Sequence, residues 1–324
     1  DKNEEVRTEA AIALGKMGPK AESAITDLMK SIRDLSWSVR TASAQSLSNV
    51  GKEAKKSIPI LIETLKDKDW RVRYRVVNTL ANIGENSVPS LLKALKSKNL
   101  TVRKGAVEAL GEMKFSDPEI IKNLSKMLRD PYETIRGKAA DALRSIGKLS
   151  IPALIKGFNY YKTKLVLNYG IPISNKNAQT LIITAIGGIG EDAKDAIPFI
   201  IDNLNDKRAM IRIEATRTLG KIGKNSENAI TALMGALNDP KSNVRREAAL
   251  ALGKIGSNAS IATSALTHVL NDKNPDVRWR ASEALGLIGV YNEEIRACLD
   301  NLIHDKCDYV CESAINAIDI LTEK

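Results

Sequence analysis

Aromatic residues and histidine are scarce in this chain, and each scarcity narrows what the chain can be. Phe, Trp and Tyr make up 4% of the 324 residues, although 43% of the residues are hydrophobic. This composition favours small aliphatic side chains packed between close helices over a globular core filled with large rings. The two histidines, His268 and His304, stand in no nucleophile or zinc-protease motif. We therefore expect no enzymatic activity, no catalytic residues and no cofactor.

Cysteine is also rare, and its three copies lie close to the C-terminal end. An odd number leaves at least one thiol unpaired, which favours a reducing compartment. The spacing matches no standard zinc motif, so we expect no metal site and interpret these residues as buried thiols: Cys298, Cys307 and Cys311. No apolar run approaches the roughly 20 residues of a membrane span, and no signal-peptide pattern opens the chain. These features predict a cytoplasmic protein without a membrane span.

A Val-Arg or Ile-Arg pair recurs along the chain, usually at a step of 33 residues. The pairs begin at Val6, Val39, Val72, Val102, Ile135, Ile211, Val244 and Val277. After Val277, small and aliphatic residues fall at helical spacing at Ala281, Leu285 and Ile288, which predicts one buried stripe of an amphipathic helix. A glycine ends most of these helices. Ala178-Gln179 is a degenerate copy of the pair, and Val310-Cys311 is the last copy.

A second amphipathic segment precedes each pair, as in residues 58–65. An aspartate lies five residues before most of the Val or Ile positions, where we expect it to cap the second helix. The unit is therefore a helix, a turn led by aspartate, a second helix and a glycine stop. Connections this short place each helix beside the previous one, and a near-constant period repeats the rotation.

This unit resembles HEAT repeats, most closely the short HEAT-like repeats named after phycobilisome lyases. The signature stands at Asp239-Pro240, Val244-Arg245, Ala248-Ala249, Ala251-Leu252-Gly253 and Ile255-Gly256. The resemblance implies one all-α domain over residues 1–324, a right-handed α-solenoid (superhelix) of about nine to ten helix pairs. Because residue 1 is not Met and stands directly before a second helix, we expect a fragment of a longer chain. The family's ladder of Asp and Arg between repeats is assigned by resemblance to Asp34/Arg40 through Asp272/Arg278.

The second helices of such units line a concave side, and open positions there bind partners in this family. These positions stand two, three, six and ten residues after the Val or Ile, and in the later repeats they combine arginine, tryptophan and aliphatic side chains. We predict a partner-binding patch at Ile213, Arg217, Arg246, Leu250, Trp279, Arg280, Glu283 and Leu287. Trp279 is the main candidate, because it stands outside the buried stripe of its helix and its ring should therefore face solvent.

An insertion interrupts the repeat. Twenty residues separate Phe158 from Ala178 where seven separate Leu65 from Val72, which predicts an inserted loop over 159–175. The loop either contacts a partner or covers an irregular repeat. It is rich in aromatic and basic residues: Tyr160, Tyr161, Lys162, Lys164 and Tyr169.

Two tryptophans, Trp37 and Trp70, occupy equivalent turn positions in successive repeats. They serve either packing between repeats or a ridge that contacts a partner.

Charge is divided unevenly along the chain. Residues 1–170 contain 31 Lys and Arg against 19 Asp and Glu, a net charge of +12, and residues 171–324 contain 18 against 20. This excess is either a solvated face or a stripe that attracts nucleic acid or another polyanion, with these candidates: Lys66, Lys68, Arg71, Arg75, Lys96, Lys98 and Lys104.

The sequence therefore predicts a non-catalytic scaffold that binds a macromolecular partner, most simply a protein, on its concave face. Two alternatives stay open. One is a nucleic-acid-binding protein that uses the basic first half. The other is a chromophore lyase or a lyase partner subunit, which only the repeat family suggests.

Overall fold

The computed structural model describes residues 1–163, 167–168, 171–172 and 175–322, with side chains at 1–162 and 177–322. The fold is an all-helical solenoid of helix pairs, as the repeat predicts. The chain divides into two compact units. Unit 1 is Asp1–Gly157 with Leu167–Ile173, and unit 2 is Phe158–Val166 with Ser174–Lys324.

Unit 1 contains nine helices and the first half of a tenth. They are α1 (Glu4–Lys16), α2 (Ile25–Ser31), α3 (Trp37–Val50), α4 (Ile58–Thr64), α5 (Trp70–Ile83), α6 (Val88–Ala94), α7 (Leu100–Met113), α8 (Pro118–Met127), α9 (Glu133–Ile146) and α10 (Ile151–Thr163). Two short antiparallel strands follow, β1 (Leu167–Asn168) and β2 (Ile171–Pro172), with Leu167 opposite Pro172.

Unit 2 continues with nine further helices. They are α11 (Asn175–Ile189), α12 (Ile197–Asp202), α13 (Ala209–Ile222), α14 (Glu227–Ala236), α15 (Ser242–Ile255), α16 (Thr263–Val269), α17 (Pro275–Ile288), α18 (Glu293–Leu302) and α19 (Asp308–Thr322). Over the described residues, nine pairs of a first and a second helix therefore follow α1. Short 3-10 turns lead into several first helices, where the proline of α4 or α12 occupies the first turn, since proline needs no N–H partner there.

Second helices pack closely on second helices. In α17 the predicted stripe of Val277, Ala281, Leu285 and Ile288 is buried. Small residues let the backbones approach: a Cβ added at Gly220 in α13 would lie 2.8 Å from the Cβ of Ala251 in α15. Burial of these stripes supplies the main driving force for stacking, at about 25 cal/mol per Å² of apolar surface.

The aspartate of each turn has a different local role from the predicted helix cap. The cap of α5 is Asp69, whose side chain accepts from the N–H of Arg71. Asp67, two residues earlier, instead accepts the N–H of Asp69 and closes the turn. The expectation that the earlier aspartate caps the helix was wrong, because the chain needs two more residues to reach helical geometry.

The Asp-Arg ladder is present, and its partners lie one repeat apart. Nη1 of Arg40 donates to the carbonyl oxygens of Asp34 and Leu35 in its own turn. Nε and Nη2 of Arg40 donate to both carboxylate oxygens of Asp67, at 2.6 and 2.9 Å. The same two-bond pair joins Arg7–Asp34, Arg103–Asp130, Arg212–Asp239, Arg245–Asp272 and Arg278–Asp305. Two parallel bonds between planar groups fix the register of neighbouring repeats.

Candidate functional site

An apolar groove on the second-helix face of unit 2 lies between α17 and α19. Trp279 contacts Tyr309 edge to face, with ring centroids 5.6 Å apart, and the Arg280 guanidinium covers the indole at 3.6 Å. Leu287 is 49% exposed. The groove has a volume of about 530 Å³ and is lined by Trp279, Glu283, Leu287, Tyr309, Glu312, Ser313, Asn316, Ala317, Asp319 and Ile320. We call it the C-terminal groove.

The charge of the C-terminal groove is negative. Its lining includes three carboxylates, from Glu283, Glu312 and Asp319, and none of the described lining residues is Lys or Arg. Arg280 pairs with Glu283 at 2.5 Å, whereas Glu312 and Asp319 form no salt bridge with the described residues. The groove therefore offers rings and aliphatic carbons beside acidic oxygens, which suits an apolar side chain next to a basic one.

Two of the three arginines predicted for the patch bind one carboxylate. Arg217 donates from Nε and Nη2 to the two oxygens of Glu247, at 2.9 and 3.0 Å, and Arg246 donates to the same carboxylate at 2.8 Å. Burial alone would raise the pKa of Glu247, but the hydrogen bonds and charges of the arginines outweigh it and hold the pKa below its ordinary range. Both guanidiniums are thus engaged within the fold.

The remaining residues of the predicted patch differ in how far they are exposed to solvent. Ile213 is only 8% exposed, so its predicted membership of an exposed row was wrong. The next residue in α13, Glu214, is also buried. Leu250 in α15 is half-buried, as is Trp279. The structure brings Trp279, Glu283 and Leu287 together in one groove, with Arg280 against the ring.

Sequence reasoning missed three residues that complete these arrangements. Tyr309 and Ile320 line the groove from α19. They belong to the last repeat, in which Val310-Cys311 replaces the Val-Arg pair, and the predicted rows of open positions did not include it. Glu247 stands three residues after Val244, an open position by the repeat register, and thirty residues after Arg217. Thr184 and Glu214 form a hydrogen bond at the same spacing of thirty residues. This recurring spacing is a signal in the sequence for a second contact between repeats, beside the Asp-Arg ladder.

The insertion begins later than predicted. Tyr160, Tyr161 and Lys162 belong to the last turns of α10, which extends to Thr163. Tyr161 is 2% exposed, which for this residue excludes the partner contact and leaves the other alternative, packing within the repeat. Lys162 lies 5.4 Å over the buried ring of Phe158. Lys164 and Tyr169 lie outside the described residues.

The predicted basic stripe separates into two groups. Four exposed lysines occupy the turns that precede α5 and α7: Lys66, Lys68, Lys96 and Lys98. Three residues on the helices are partly buried: Arg71, Arg75 and Lys104. Arg71 pairs with Asp69 at 2.6 Å and lies 3.4 Å over the ring of Trp37. Trp37 is 41% exposed, and Trp70 is 65% exposed.

The cysteines are half-buried and unbonded to one another: Cys298, Cys307 and Cys311. Sγ of Cys311 donates to the carbonyl oxygen of Asp305 at 3.1 Å, as the ladder arginines do in earlier repeats. Within the part of the chain that the structure describes, no group of three or more His, Cys, Asp or Glu could hold a metal ion. In the same part, no helix is long and apolar enough to cross a membrane.

Comparison with family models agrees with this ladder architecture. The model described as HEAT repeats matches residues 32–111, 58–144, 88–160, 173–239 and 224–263, which together exceed half of the chain. The chain belongs to the HEAT-repeat family. The model described as PBS lyase HEAT-like repeat matches residues 6–34 of this HEAT-repeat chain. No curated protein sequence matches significantly.

Solved structures share the HEAT-repeat fold at low sequence identity. Kap121p bound to Nup53p is 15% identical, with a TM-score of 0.65 over 93% of this chain and 37% of that chain. Kap121p bound to the SUMO protease Ulp1p is 14% identical, with a TM-score of 0.64 over 93% of this chain and 37% of that chain. Kap95p, in a structure with RanGDP, is 11% identical, with a TM-score of 0.60 over 98% of this chain and 50% of that chain. The chain thus spans half or less of these karyopherins.

One HEAT repeat of the chain rebuilds the ladder with different residues. Gln179 stands where the pattern has arginine, and Asp206 is the aspartate of the following turn. Arg208 donates to both oxygens of Asp206, at 2.8 Å each, and its Nη1 donates to the side-chain oxygen of Gln179 at 2.7 Å. The guanidinium is supplied here by the residue that precedes α13, in the same turn as Asp206, and the aspartate remains paired.

Proposed function

We propose that the chain is a non-catalytic scaffold that binds a segment of another protein in the C-terminal groove. The observation that carries this proposal is the groove where Trp279, Tyr309 and Leu287 lie beside acidic oxygens. Tyr309 and Leu287 are 40% and 49% exposed, and Trp279 is half-buried between Arg280 and Tyr309, so much of this apolar surface lies outside the core of the monomer. Buried aromatic anchors dominate the energy of many protein interfaces.

The preferred segment carries a large apolar side chain next to Lys or Arg. The apolar side chain packs against Trp279 and Leu287, and the basic group approaches Glu312 and Asp319. Complementary charge adds specificity and speeds association more than it adds affinity. Karyopherins with this fold, Kap121p and Kap95p, have structures with protein partners, which supports binding at the level of fold.

Two other functions remain predictions from the sequence. Nucleic-acid binding would use the exposed lysines of the turns before α5 and α7, and its affinity would fall steeply with salt. A chromophore lyase, or its partner subunit, rests on the repeat family alone. Cytoplasmic localisation is likewise a prediction.

Selection of peptides from a random display library on the intact chain tests the proposal. We expect enrichment of peptides with an aromatic or aliphatic residue beside Lys or Arg. Leu287→Asp should weaken the selected peptides by about tenfold or more, because it places a charge on the apolar wall. Ile261→Asp is the matched control, since Ile261 is 50% exposed in the 3-10 turn before α16 and lies outside the groove lining.

Two results would contradict the proposal. One is a set of selected peptides that bind equally well to the wild type and to Leu287→Asp. The other is equal loss of binding in Leu287→Asp and Ile261→Asp, which would indicate a nonspecific effect of the added charge. Thermal melts of both variants establish that each remains folded.

A further inference from the structure

Arg73, a ladder arginine of unit 1, has no aspartate partner among the described residues. Nη1 of Arg73 donates to the carbonyl oxygens of Asp67 and Lys68, at 2.6 and 3.0 Å, as Nη1 of Arg40 does in the previous repeat. Among the described residues, no acceptor lies within hydrogen-bonding distance of its Nε or Nη2. The edge of the guanidinium that binds aspartate in six other repeats is therefore unpaired in Arg73.

Ser97 stands at the position of the missing aspartate. Its N–H donates to the carbonyl oxygen of Ala94 at 3.0 Å, and its Oγ accepts the N–H of Asn99. Asp67 makes the same two contacts in the previous repeat, with Thr64 and Asp69. The turn is preserved, and only the carboxylate is absent, because a serine hydroxyl cannot offer two acceptor oxygens to a guanidinium.

Arg73 lines a groove of about 280 Å³ between α5 and α7. The apolar part of its lining includes Trp70 and Tyr74, which are 65% and 58% exposed. The basic part consists of Arg73, Lys104 and Lys138; both lysines lie near Glu108, at 3.9 and 3.0 Å. Glu112 completes the charged lining. We call this surface the Arg73 groove.

We propose that the Arg73 groove binds a segment of a partner protein through one Asp or Glu carboxylate, which pairs with the Nε and Nη2 edge of Arg73. The partner's carboxylate replaces the oxygens that Asp67 supplies to Arg40. An apolar side chain beside it packs against Trp70 and Tyr74, since both rings are open to solvent. This site lies in unit 1 and is independent of the C-terminal groove.

A carboxylate fits this groove better than a nucleic-acid backbone does. The guanidinium edge has the geometry of six internal Arg–Asp pairs, and a single carboxylate fills it with two bonds. Glu108 and Glu112 in the same lining would repel the closely spaced phosphates of a polynucleotide. Nucleic acid is therefore an outcome of the test and not part of the proposal.

Nuclear magnetic resonance of the arginine Nε–Hε groups in the intact chain tests the proposal. The probe is the blocked dipeptide N-acetyl-Asp-Leu-amide, and N-acetyl-Asn-Leu-amide is its uncharged match. We expect the Asp dipeptide to move the Arg73 signal and to leave the ladder arginine Arg40 unmoved. The Asn dipeptide should bind about tenfold more weakly or not at all, because it lacks the charge-assisted pair.

Ser97→Asp is the matched variant, because it places in this turn the residue that Asp67 provides in the previous one, and a thermal melt establishes that it is folded. The new carboxylate should occupy Arg73 from within the chain and abolish the response to the Asp dipeptide. Ser97→Asn, of nearly equal size and without charge, should retain the response. Both results together support the proposal.

Three results would overturn it. The Arg73 signal does not move with the Asp dipeptide in the wild type, or it moves equally in Ser97→Asp. A single-stranded oligonucleotide that shifts Arg73 at concentrations where the Asp dipeptide does not would assign the groove to nucleic acid instead. Failure of the C-terminal groove to select peptides would leave each of these results unchanged.

Discussion

Arg245 and Asp272 join two successive repeats through two hydrogen bonds, from Nε to Oδ2 at 2.6 Å and from Nη2 to Oδ1 at 2.8 Å. Both side chains are about nine-tenths buried. The same arginine also donates to the carbonyl oxygen of Asp239 in its own turn, so one guanidinium links two turns. The pair therefore fixes how one repeat sits on the next.

Arg245→Ala should destabilise the chain by about 3 kcal/mol, because it leaves Asp272 buried without its cation. Arg245→Lys should fall between the alanine variant and the wild type, since an ammonium cannot make both bonds. Thermal melting measures the loss. Binding of peptides selected on the C-terminal groove should persist below the melting transition. Normal melting with lost binding would instead make Arg245 a binding residue.

Acid should weaken the ladder. The folded chain lowers the pKa of four ladder aspartates. For Asp34 and Asp305 the hydrogen bond from arginine is the largest cause. For Asp239 and Asp272 burial is the largest single influence and raises the pKa, but the hydrogen bonds and charge of the arginine together with a backbone hydrogen bond outweigh it. A carboxyl whose pKa is lower in the folded state contributes stability above its unfolded pKa of about 3.9 and loses it as pH falls through the folded pKa. Melting temperature should therefore decrease below about pH 4.

Asp272→Asn is the control for this pH dependence. The variant should melt at a lower temperature than the wild type at neutral pH, because the amide cannot accept two charge-assisted bonds. Its melting temperature should then change less steeply in acid, because one titrating group is gone. Parallel curves for the two proteins would exclude Asp272 as a source of the acid sensitivity.

Ser97→Asp should stabilise the chain by about 1 kcal/mol, because it supplies a partner for the unpaired edge of Arg73. Ser97→Asn should have a smaller effect. The comparison is a pair of thermal melts at neutral pH. If Ser97→Asp melts at or below the temperature of Ser97→Asn, Arg73 does not reach the restored carboxylate.

Two glycine substitutions should have opposite signs. A Cβ at Gly253 in α15 would lie 2.9 Å from the Cα of Ala284, whereas a Cβ at Gly137 in α9 meets nothing within 4 Å. Gly253→Ala should destabilise by about 1–3 kcal/mol through overpacking. Gly137→Ala should stabilise by about 0.5–1 kcal/mol, the usual gain in a helix. Equal shifts in melting temperature would mean that the second helices separate easily.

Repeat register predicts much of this fold, because one hydrophobic residue every three or four positions determines the buried face of a helix. It predicted the buried stripe that begins at Val277 and the helix pairs themselves. The Asp-Arg ladder followed from resemblance to the repeat family. The repeat register does not determine which arginine pairs with which aspartate. The structure was needed to show that Arg40 pairs with Asp67 of the next turn.

The candidate site was predicted less completely for the same reason. Exposure at an open position depends on the neighbouring repeat, and this is why Ile213 is buried while Leu287 is not. Arg217 and Arg246 stood in the predicted patch, but a shared carboxylate from Glu247 engages both. Tyr309 belongs to the last repeat, in which Cys311 replaces the ladder arginine. The repeat pattern is weakest there, so it did not indicate which residues of α19 line the groove.

Photo-crosslinking from the groove is the most direct test of the scaffold function. Benzoylphenylalanine replaces Leu287 in one variant and Ile261 in another, and each is irradiated with a peptide selected on the wild type. Binding in the C-terminal groove predicts an adduct to the peptide from position 287 and none from position 261. An adduct from position 261 alone, or none from position 287 at saturating peptide, would contradict it.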